Sequence, residues 1–468
     1  YTTAAHREVR VMLTHAVNGK IYLDDHIAVA PDNAYTNTVA CDTQKTEELK
    51  LTVLDENGKV LVSYQAEKPE IRPIPEPAKA ALDPKKIASM EQLFLTGHHL
   101  EQYRHATYHP MDYYMEALSR DKGDIRCNNA VGLLLMRRGR FAEAQKYFDR
   151  AIATQTERNP NPYDGEPYYN LGWSKKMQGD IDGAYDAFFK ATWNAAWQDS
   201  GYMGLAQIDM IRKDYANGLD HIDRSLFRNW LNHKGRQLKT SFLRKTGAYD
   251  KAEALIRESL SMDRFNMGCR FEAYLINSLQ GNTEAASAVK AEMKSLMHGS
   301  VHSYLEYAID YAVAGMYEEA TQLLSFLTEE KEAAYPMVYY ALGYFASRMG
   351  KQDEAVSLYQ KAETVCPDYC FPNKLEEVLM LQDAMKMNPK GAKAPYYLGN
   401  FHYAARIYDE AIACWEKSAS LDDTYPTVLR NLSLAYYNKQ NNPEKARTML
   451  EKAYKLDESD ARILMELD

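Results

Sequence analysis

The stretch that decides the fold is YYALGYFASRMGKQDEAVSLYQKAETVCP, residues 339–367. An earlier stretch, YYNLGWSKKMQGDIDGAYDAFFKAT at residues 168–192, has the same order of residue types. In both, two aromatic residues precede Leu-Gly, a second glycine follows, and an alanine and a large aromatic residue come next. Small residues at these spacings predict two closely packed helices that are joined by a glycine turn.

The same markers recur along most of the chain with one period. The central residue of each first helix falls at Gly97, Gly132, Gly172, Ala206, Thr240, Tyr274, Ala308, Gly343, Gly399 and Ser433. Successive positions are 34 or 35 residues apart, except for one step of 40 and one of 56. A small residue 12 or 13 positions further on keeps the same period. Two markers with one period indicate a repeat array.

This pattern resembles the tetratricopeptide repeat family over residues ~90 to 468. The resemblance implies a mainly α-helical solenoid of about nine to ten hairpins, in which each hairpin buries its apolar face against its neighbours. The 56-residue step predicts an extra helix near residues 373–388, because the inserted segment contains the run KLEEVLMLQDAMKM. We expect large residues to fill the space beside the small marker residues. These large residues are Phe148, Phe188, Tyr359 and Trp415.

The first 68 residues have the character of β-strands. Apolar residues alternate on either side of Asn57-Gly58, and Asn-Gly between alternating runs is a strong hairpin signal. Five or six strands fit, which predicts a small β-sandwich-like segment over residues 1–68. A proline-rich stretch then predicts an extended linker over residues 69–86. The helical array is expected over residues 87–468.

The family resemblance also implies a concave groove, formed by positions 2, 5, 9 and 12 of the first helices. The candidate groove residues at such positions are Tyr169, Trp173, Lys176, Tyr340, Tyr344, Tyr396, Asn400 and Tyr403. Tyrosine suits recognition, because it offers a large contact area and one polar tip with few rotatable bonds. The alternative is that many of these tyrosines are the structural aromatic residues of the family. The expected partner is a protein or peptide.

The segment TGHHLEQYRHATYHP, residues 96–110, holds four histidines. It is expected to form the first helix of the first hairpin, where His98, Gln102 and His105 share one face. With His99 and Tyr103 they form a candidate polar face that contacts another domain or a sugar ligand. No metal site is expected, because His98 and His105 would lie ~10 Å apart along a helix that rises ~1.5 Å per residue.

Other function classes receive little support. No nucleophile elbow, P-loop, dinucleotide fingerprint or zinc-protease motif is present, so enzymatic activity is uncertain. A net charge of −9 with mixed signs disfavours nucleic acid, and no apolar run approaches the ~18 residues of a membrane span. Cys366 and Cys370 are close but lack a second ligand pair, so no cofactor is predicted, and reduced thiols and a cytoplasmic location are expected.

A second resemblance covers residues ~85 to 200. The order of four segments resembles that of a bacterial family of unknown function. These segments are TGHHLEQYRHAT, YYMEALSRDKGDIRCNNAVGLLLMRRGRFAEAQKYF, TERNPNPYDGEPYYNLGW and ATWNAAW. In that family a β domain similar to galactose mutarotase precedes a short β-rich segment and a tetratricopeptide array. The resemblance implies a link to carbohydrate. Since the chain begins at Tyr1, a longer polypeptide with an upstream domain is also expected.

Two functions stay open. The first is a non-catalytic scaffold that mediates protein–protein or interdomain contacts, including self-association into a homodimer. The second is the helical half of a carbohydrate-active enzyme whose catalytic, mutarotase-like domain lies upstream.

Overall fold

The computed structural model describes the chain except for Tyr1, Thr3, 31–32, 71–72, Pro75, Ala78, Arg104, Ala106, Pro162 and 330–334. Two compact units are present. One comprises Tyr1–Ala81 and Leu231–His298, and the other comprises Leu82–Trp230 and Gly299–Asp468. The predicted fold class is confirmed, because helical hairpins of the solenoid type follow a small β-rich segment. The boundaries at residues 68 and 86 stay predictions, and part of the proline-rich linker, including Pro75, lies outside the described residues.

The N-terminal strands form one antiparallel sheet in the order β2-β1-β3-β4. The strands are β1 (His6–His15), β2 (Ile21–Val29), β3 (Leu49–Asp55) and β4 (Val60–Gln65). The predicted Asn-Gly turn joins β3 to β4, and Gly58 takes a positive φ of +79° there. The side chain of Asp55 accepts hydrogen bonds from the backbone N–H groups of Asn57 and Lys59, which closes the turn.

The β-rich segment has a single layer among the described residues, whereas a sandwich needs two. Between β2 and β3 the described chain adds only the isolated bridge Ala30–Asn33 and a short 3-10 turn at Thr46–Glu48. This stretch is rich in polar and turn-forming residues and lacks the apolar alternation of a further strand. β4 is consequently an edge strand, and its Val60, Val62 and Tyr64 are exposed.

Twenty-two α-helices follow the sheet in the described chain. They are α1 (Met90–Gln102), α2 (Pro110–Arg120), α3 (Ile125–Met136), α4 (Phe141–Thr156), α5 (Glu166–Met177), α6 (Ile181–Ala191), α7 (Gln198–Arg212), α8 (Tyr215–Arg228), α9 (His233–Lys245), α10 (Tyr249–Met262), α11 (Met267–Leu279), α12 (Thr283–Met297), α13 (Val301–Ala312), α14 (Tyr317–Thr328), α15 (Pro336–Arg348), α16 (Gln352–Thr364), α17 (Leu375–Met387), α18 (Lys393–Ala404), α19 (Tyr408–Leu421), α20 (Pro426–Gln440), α21 (Pro443–Leu456) and α22 (Ala461–Leu467). Consecutive helices pair into ten hairpins, and α17 and α22 stand outside these pairs.

Close glycine–aromatic packing joins the two helices in five of the hairpins. A Cβ atom added at Gly172 would lie 2.6 Å from the ring of Phe188, which leaves room for glycine alone. The glycine–ring pairs are Gly97 with Tyr114, Gly132 with Phe148, Gly172 with Phe188, Gly343 with Tyr359, and Gly399 with Trp415. The predicted roles of the small and large markers are therefore confirmed in these hairpins.

The hairpins α9–α10 and α11–α12, which depart from the glycine pattern, contain a polar core. Thr240 at the marker position is buried, and its hydroxyl donates to the carbonyl oxygen of Arg236 at 2.8 Å. The carboxylate of Glu272 in α11 is fully buried and accepts hydrogen bonds from Arg244 Nε at 2.6 Å and Ser241 Oγ at 2.7 Å. A buried charge is tolerated when it is paired and hydrogen bonded, so this network ties α9 to α11.

Helix α17 lies in the segment for which the 56-residue step predicts an extra helix. Its start is fixed by Glu377, whose side chain accepts hydrogen bonds from the two backbone N–H groups just before the helix, at 2.7 and 2.9 Å. Leu375 and Leu379 pack against an apolar cluster that contains Met136 of α3 and Leu171 of α5. Helix α17 therefore contacts hairpins far from it in sequence.

Candidate functional site

The predicted polar face on α1 is exposed. His98, His99, Gln102 and Tyr103 are all exposed at the end of the helix, and Tyr103 retains 72% of its accessible surface. The ring of His98 stacks on Phe94 with centroids 5.7 Å apart, and its Nε2 lies 3.1 Å from Nε2 of Gln102. The rings of His99 and Tyr103 are 4.6 Å apart. These contacts hold the side chains in place, which lowers the entropy lost when a partner binds.

His105 does not belong to this face, contrary to the prediction, because α1 ends at Gln102. The imidazole of His105 lies in the loop, where its Nδ1 accepts hydrogen bonds from two backbone N–H groups that follow it. His109 instead caps α2, since its Nδ1 accepts from the N–H of Met111 at 3.1 Å and Pro110 occupies the first helical position. Two of the four histidines therefore organise a turn.

Three of the predicted groove residues lie together on α5. The ring of Tyr169 is 6.5 Å from that of Trp173, and the Nζ atom of Lys176 lies 4.8 Å from the Trp173 centroid. Lys176 also donates to Oε1 of Gln207 at 2.6 Å. Burial lowers the pKa of Lys176 to about 7, and the negative charge of Glu376 opposes this effect only in part. The α5 cluster therefore combines an aromatic surface with an amine that is readily neutralised.

Tyr340 and Tyr396 are buried and do not face an open groove. The hydroxyl of Tyr340 donates to Oε1 of Glu363 at 2.9 Å, and burial raises its pKa well above the usual value. The ring of Tyr396 packs against Tyr397 and Tyr425, with centroids 5.2 and 5.1 Å away. These two residues hold neighbouring helices together, which matches the alternative structural interpretation.

The remaining predicted groove residues are half-buried. Burial raises the pKa of Tyr344 to about 12. The side-chain oxygen of Asn400 accepts a hydrogen bond from Nε1 of Trp415 at 3.1 Å, and the ring of Tyr403 lies 5.2 Å from the same tryptophan. A partner-binding role for Tyr344, Asn400 and Tyr403 stays a prediction.

Helix α17 lies beside the α5 cluster. Glu376 is the carboxylate that acts on Lys176, and Leu375 and Leu379 pack against the apolar cluster that Trp173 also joins. Helix α17 of the same chain therefore packs on the apolar cluster that also supports Trp173, a side chain that was expected to meet an external partner.

A basic cavity that sequence reasoning missed lies where the α3–α4 turn meets the α18–α19 turn. It has a volume of about 260 Å³. No carboxylate is among its lining residues; the other lining side chains are Leu, Pro and Ala, and the polar ones are His105, His109, Arg137, Arg138 and Arg406. This concentration of positive charge predicts an anion as the ligand.

The charges around this cavity are unevenly compensated. Arg137 pairs with Glu101, whereas Arg138 pairs with no carboxylate among the described residues. Nη2 of Arg138 instead lies 2.7 Å from Nε2 of His109. Burial lowers the pKa of Arg138, and the positive charge of Arg406 lowers it further. Burial also lowers the pKa of His109, with added contributions from Arg138 and Arg406.

Arg406 occupies a strained backbone position in the α18–α19 turn. Its φ is +62°, in the left-handed region, which costs a non-glycine residue roughly 1–2 kcal/mol. Glycine takes the corresponding positive-φ place in six other hairpins, at Gly139, Gly179, Gly247, Gly281, Gly315 and Gly350. Lys213 and Asn441 also take this place without being glycine, so the sequence alone does not single out the cavity at Arg406.

A second cavity of about 540 Å³ adjoins the first and shares Arg138 and Arg406 with it. Its lining also includes the three carboxylates of Glu143, Asp409 and Glu410, the cationic side chains of Arg140 and Lys439, and the amide of Asn438. The second cavity therefore carries charges of both signs, and two of its groups, Arg140 and Glu410, pair with each other.

The described residues contain no cluster of three or more His, Cys, Asp or Glu side chains that could hold a metal ion. Within the same part of the chain, every helix is too short or too polar to cross a bilayer.

Three family models match four parts of the chain. The model described as YphG-like protein, second domain, matches residues 1–64. One tetratricopeptide repeat model matches residues 130–200. Another matches residues 338–369 and 430–460. The chain therefore contains tetratricopeptide repeats, as predicted.

Solved structures with similar helical arrays are distant in sequence. PilF of Pseudomonas aeruginosa is 16% identical over 44% of this chain and 91% of its own, with a TM-score of 0.38. A tetratricopeptide repeat protein from Parabacteroides merdae is 15% identical over 56% of this chain and 98% of its own, with a TM-score of 0.36. YrrB, described as a tetratricopeptide protein with an unusual peptide-binding site, is 16% identical over 52% of this chain and 96% of its own, with a TM-score of 0.20.

Proposed function

We propose that this chain, which contains tetratricopeptide repeats, is a non-catalytic scaffold that binds a protein partner. Stacked helical hairpins present extended surfaces for such partners. The observation that carries the proposal is the exposed face of α1, formed by His98, His99, Gln102 and Tyr103. The ring of His98 is held against Phe94 and the ring of His99 against Tyr103. Leu95 is 46% exposed and lies one helical turn before His98 and His99. Apolar, aromatic and polar groups together are typical of interface residues.

The partner is the domain that precedes the β-rich segment in the same polypeptide. Two points support this choice. The family model that matches residues 1–64 describes a second domain, so a first domain precedes it in those proteins. The resemblance of residues ~85 to 200 to a bacterial family implies the same order, with a mutarotase-like domain upstream. A bacterial source and a cytoplasmic location belong to this proposal.

The test is to express the upstream domain and this chain as separate proteins and to measure their association by calorimetry. The double variant His98→Ala with Tyr103→Ala should weaken association at least tenfold, because it removes two of the exposed rings. Tyr437→Ala on α20 removes another exposed tyrosine, at 63% compared with 72% for Tyr103, and serves as the control. No association of the two wild-type proteins, or an equal loss in the control, contradicts the proposal.

A link to carbohydrate is the second candidate. The observation that favours it is Trp193, which is 52% exposed with Nζ of Lys190 held 3.3 Å from its ring centroid. An exposed indole of this kind suits stacking against a sugar ring. In this alternative the chain is the helical half of a carbohydrate-active enzyme, and Trp193→Ala in the full polypeptide should lower glycan turnover. Unchanged turnover of every glycan tested removes Trp193 from this role.

A further inference from the structure

The outer edge of the β4 strand is open. This strand (Val60–Gln65) is the last one of the sheet, and within the described chain it pairs on one side only, with β3. All six of its residues are exposed, and Val62 and Tyr64 retain 55% and 66% of their accessible surface. An unpaired edge presents a row of backbone N–H and C=O groups, which is a template for a further strand.

The opposite edge of the sheet, at β2, is protected in two ways. The β2 strand contains Asp24 and Asp25, and charged residues on an edge strand discourage pairing with another strand. The segment after β2 also binds its side chains, since Asp25 accepts hydrogen bonds from Tyr35 and Asn37. By contrast, β4 has the sequence VLVSYQ, which contains neither a charged residue nor a proline. Its register against β3 shifts only next to the turn, so residues 62–65 pair regularly.

The exposed side chains of β4 continue an apolar face of the sheet. Val11 of β1 pairs with Val53 of β3, which pairs with Val62, so these three side chains lie on one face. Tyr64, two residues further along β4, lies on the same face. Val11 is buried, whereas Val62 and Tyr64 are exposed. A strand that pairs with β4 and carries apolar residues at alternate positions would cover both of them.

The β4 strand itself meets this requirement when two copies pair antiparallel around Ser63. Each Val62 then lies opposite Tyr64 of the second copy, and a pair of an aromatic and a β-branched residue stabilises a sheet. Because residues directly opposite each other share a face, the apolar row continues from one copy into the other.

The charges that flank β4 favour the same register. Pairing around Ser63 places Lys59 of each copy opposite Glu67 of the other, and both residues are exposed in this chain. Opposite charges directly across a strand pair are stabilising, whereas like charges are destabilising. A register centred on Val62 instead places Lys59 opposite Gln65 and loses both ion pairs. The flanking charges therefore complement a second copy of the same strand.

We propose that this chain forms a homodimer in which the β4 strands of two copies pair antiparallel around Ser63 and join their four-stranded sheets into one. The strand pair is ~20 Å long, since a strand rises ~3.4 Å per residue. An interface of this size supports weak association, so the expected Kd is ~1–100 µM. The dimer goes beyond the scaffold function and does not involve the exposed face of α1.

Sedimentation velocity of the whole chain from ~1 to ~200 µM tests the dimer, and the 53.5-kDa monomer should convert to a species of twice its mass. Val62→Lys should weaken dimerisation at least tenfold, because it puts a charge where β4 contacts Tyr64 of the second copy. Val17→Lys is the matched control, since Val17 is 82% exposed but lies in the turn between β1 and β2, and this variant should dimerise like the wild type. A wild type that stays monomeric over the whole range, or an equal loss in both variants, overturns the proposal.

The register is tested by crosslinking and by charge reversal. Ser63→Cys places two thiols opposite each other with their Cα atoms ~4.5–5.5 Å apart, a separation that a disulfide spans. Mild oxidation should therefore crosslink this variant into dimers to a greater extent than Val17→Cys or the wild type, whose Cys366 is exposed. Lys59→Glu should weaken dimerisation at least threefold, and the double variant with Glu67→Lys should restore it.

Three results would overturn this assignment. They are crosslinking of Ser63→Cys no greater than in the two controls, no recovery in the double variant, and dissociation of the dimer when the separately expressed upstream domain is added. The last result would assign the β4 edge to that domain.

Discussion

Replacing Lys176 by methionine should stabilise the protein at neutral pH. Burial lowers the pKa of this lysine to about 7, from an ordinary value of 10.5, because the folded protein disfavours the charged amine. Methionine has a similar volume and no charge, so it fills the same space beside Trp173 without this penalty.

The size of the effect follows from the shift of the pKa. A shift from 10.5 to about 7 sets an upper limit of roughly 5 kcal/mol, at about 1.4 kcal/mol per unit. The side chain keeps partial exposure and a hydrogen bond to Gln207, which methionine cannot make. Solvent screening and the lost contact therefore reduce the expected gain to roughly 1–2 kcal/mol.

The gain should depend on pH in one direction. Above pH ~10.5 the amine is neutral in both the folded and the unfolded protein, so the lysine carries no charge penalty. As the pH falls towards 7, the unfolded protein binds a proton that the folded protein resists, and the wild type loses stability. Below pH ~7 both states are protonated and the penalty is constant.

Urea unfolding midpoints of the wild type and Lys176→Met between about pH 6 and pH 10 measure this difference. Lys175→Met is the matched control for the loss of one positive charge, since Lys175 lies on the same helix beside Asp180, with its Nζ 3.2 Å from the carboxylate. The difference between Lys176→Met and wild type should shrink as the pH rises. A difference that is constant over this range would refute the reasoning.

Two further predictions concern the packing of the hairpins. Gly172→Ala should lower the free energy of unfolding by about 1–3 kcal/mol, because the added Cβ would lie 2.6 Å from the ring of Phe188. The double variant with Phe188→Leu should recover part of this loss, as measured by thermal unfolding. Glu272→Gln should lower the free energy of unfolding by about 3–5 kcal/mol, because it leaves Arg244 without its buried carboxylate. The control is Glu284→Gln, since Glu284 is exposed. Equal unfolding midpoints for the two variants would contradict the role of the buried pair.

Local spacing in the sequence predicted the hairpins well. A glycine and an aromatic residue 16 positions apart, as at Gly172 and Phe188, are brought together by two adjacent helices and one short turn. The same short-range logic predicted the Asn57-Gly58 turn of the sheet. It failed at His105, because helical periodicity does not show where α1 ends.

Long-range contacts could not be read from the sequence. Whether Tyr340 is exposed depends on which neighbouring helices cover it, and this cannot be deduced from its position within one repeat. The basic cavity joins two hairpin turns that are distant in sequence, as the Arg140–Glu410 ion pair shows with its separation of 270 residues. No periodic pattern within one hairpin encodes such a pairing.

The position of α17 has a consequence for any competing peptide. A segment tethered to the surface that it covers acts at an effective concentration in the millimolar range. A free peptide of equal intrinsic affinity for the apolar cluster around Met136 and Leu171, where Leu375 and Leu379 pack, is therefore at a disadvantage of roughly 1000-fold at micromolar concentration. Binding assays that use the intact chain will therefore understate the affinity of this apolar cluster for a free peptide, since Leu375 and Leu379 already occupy part of it.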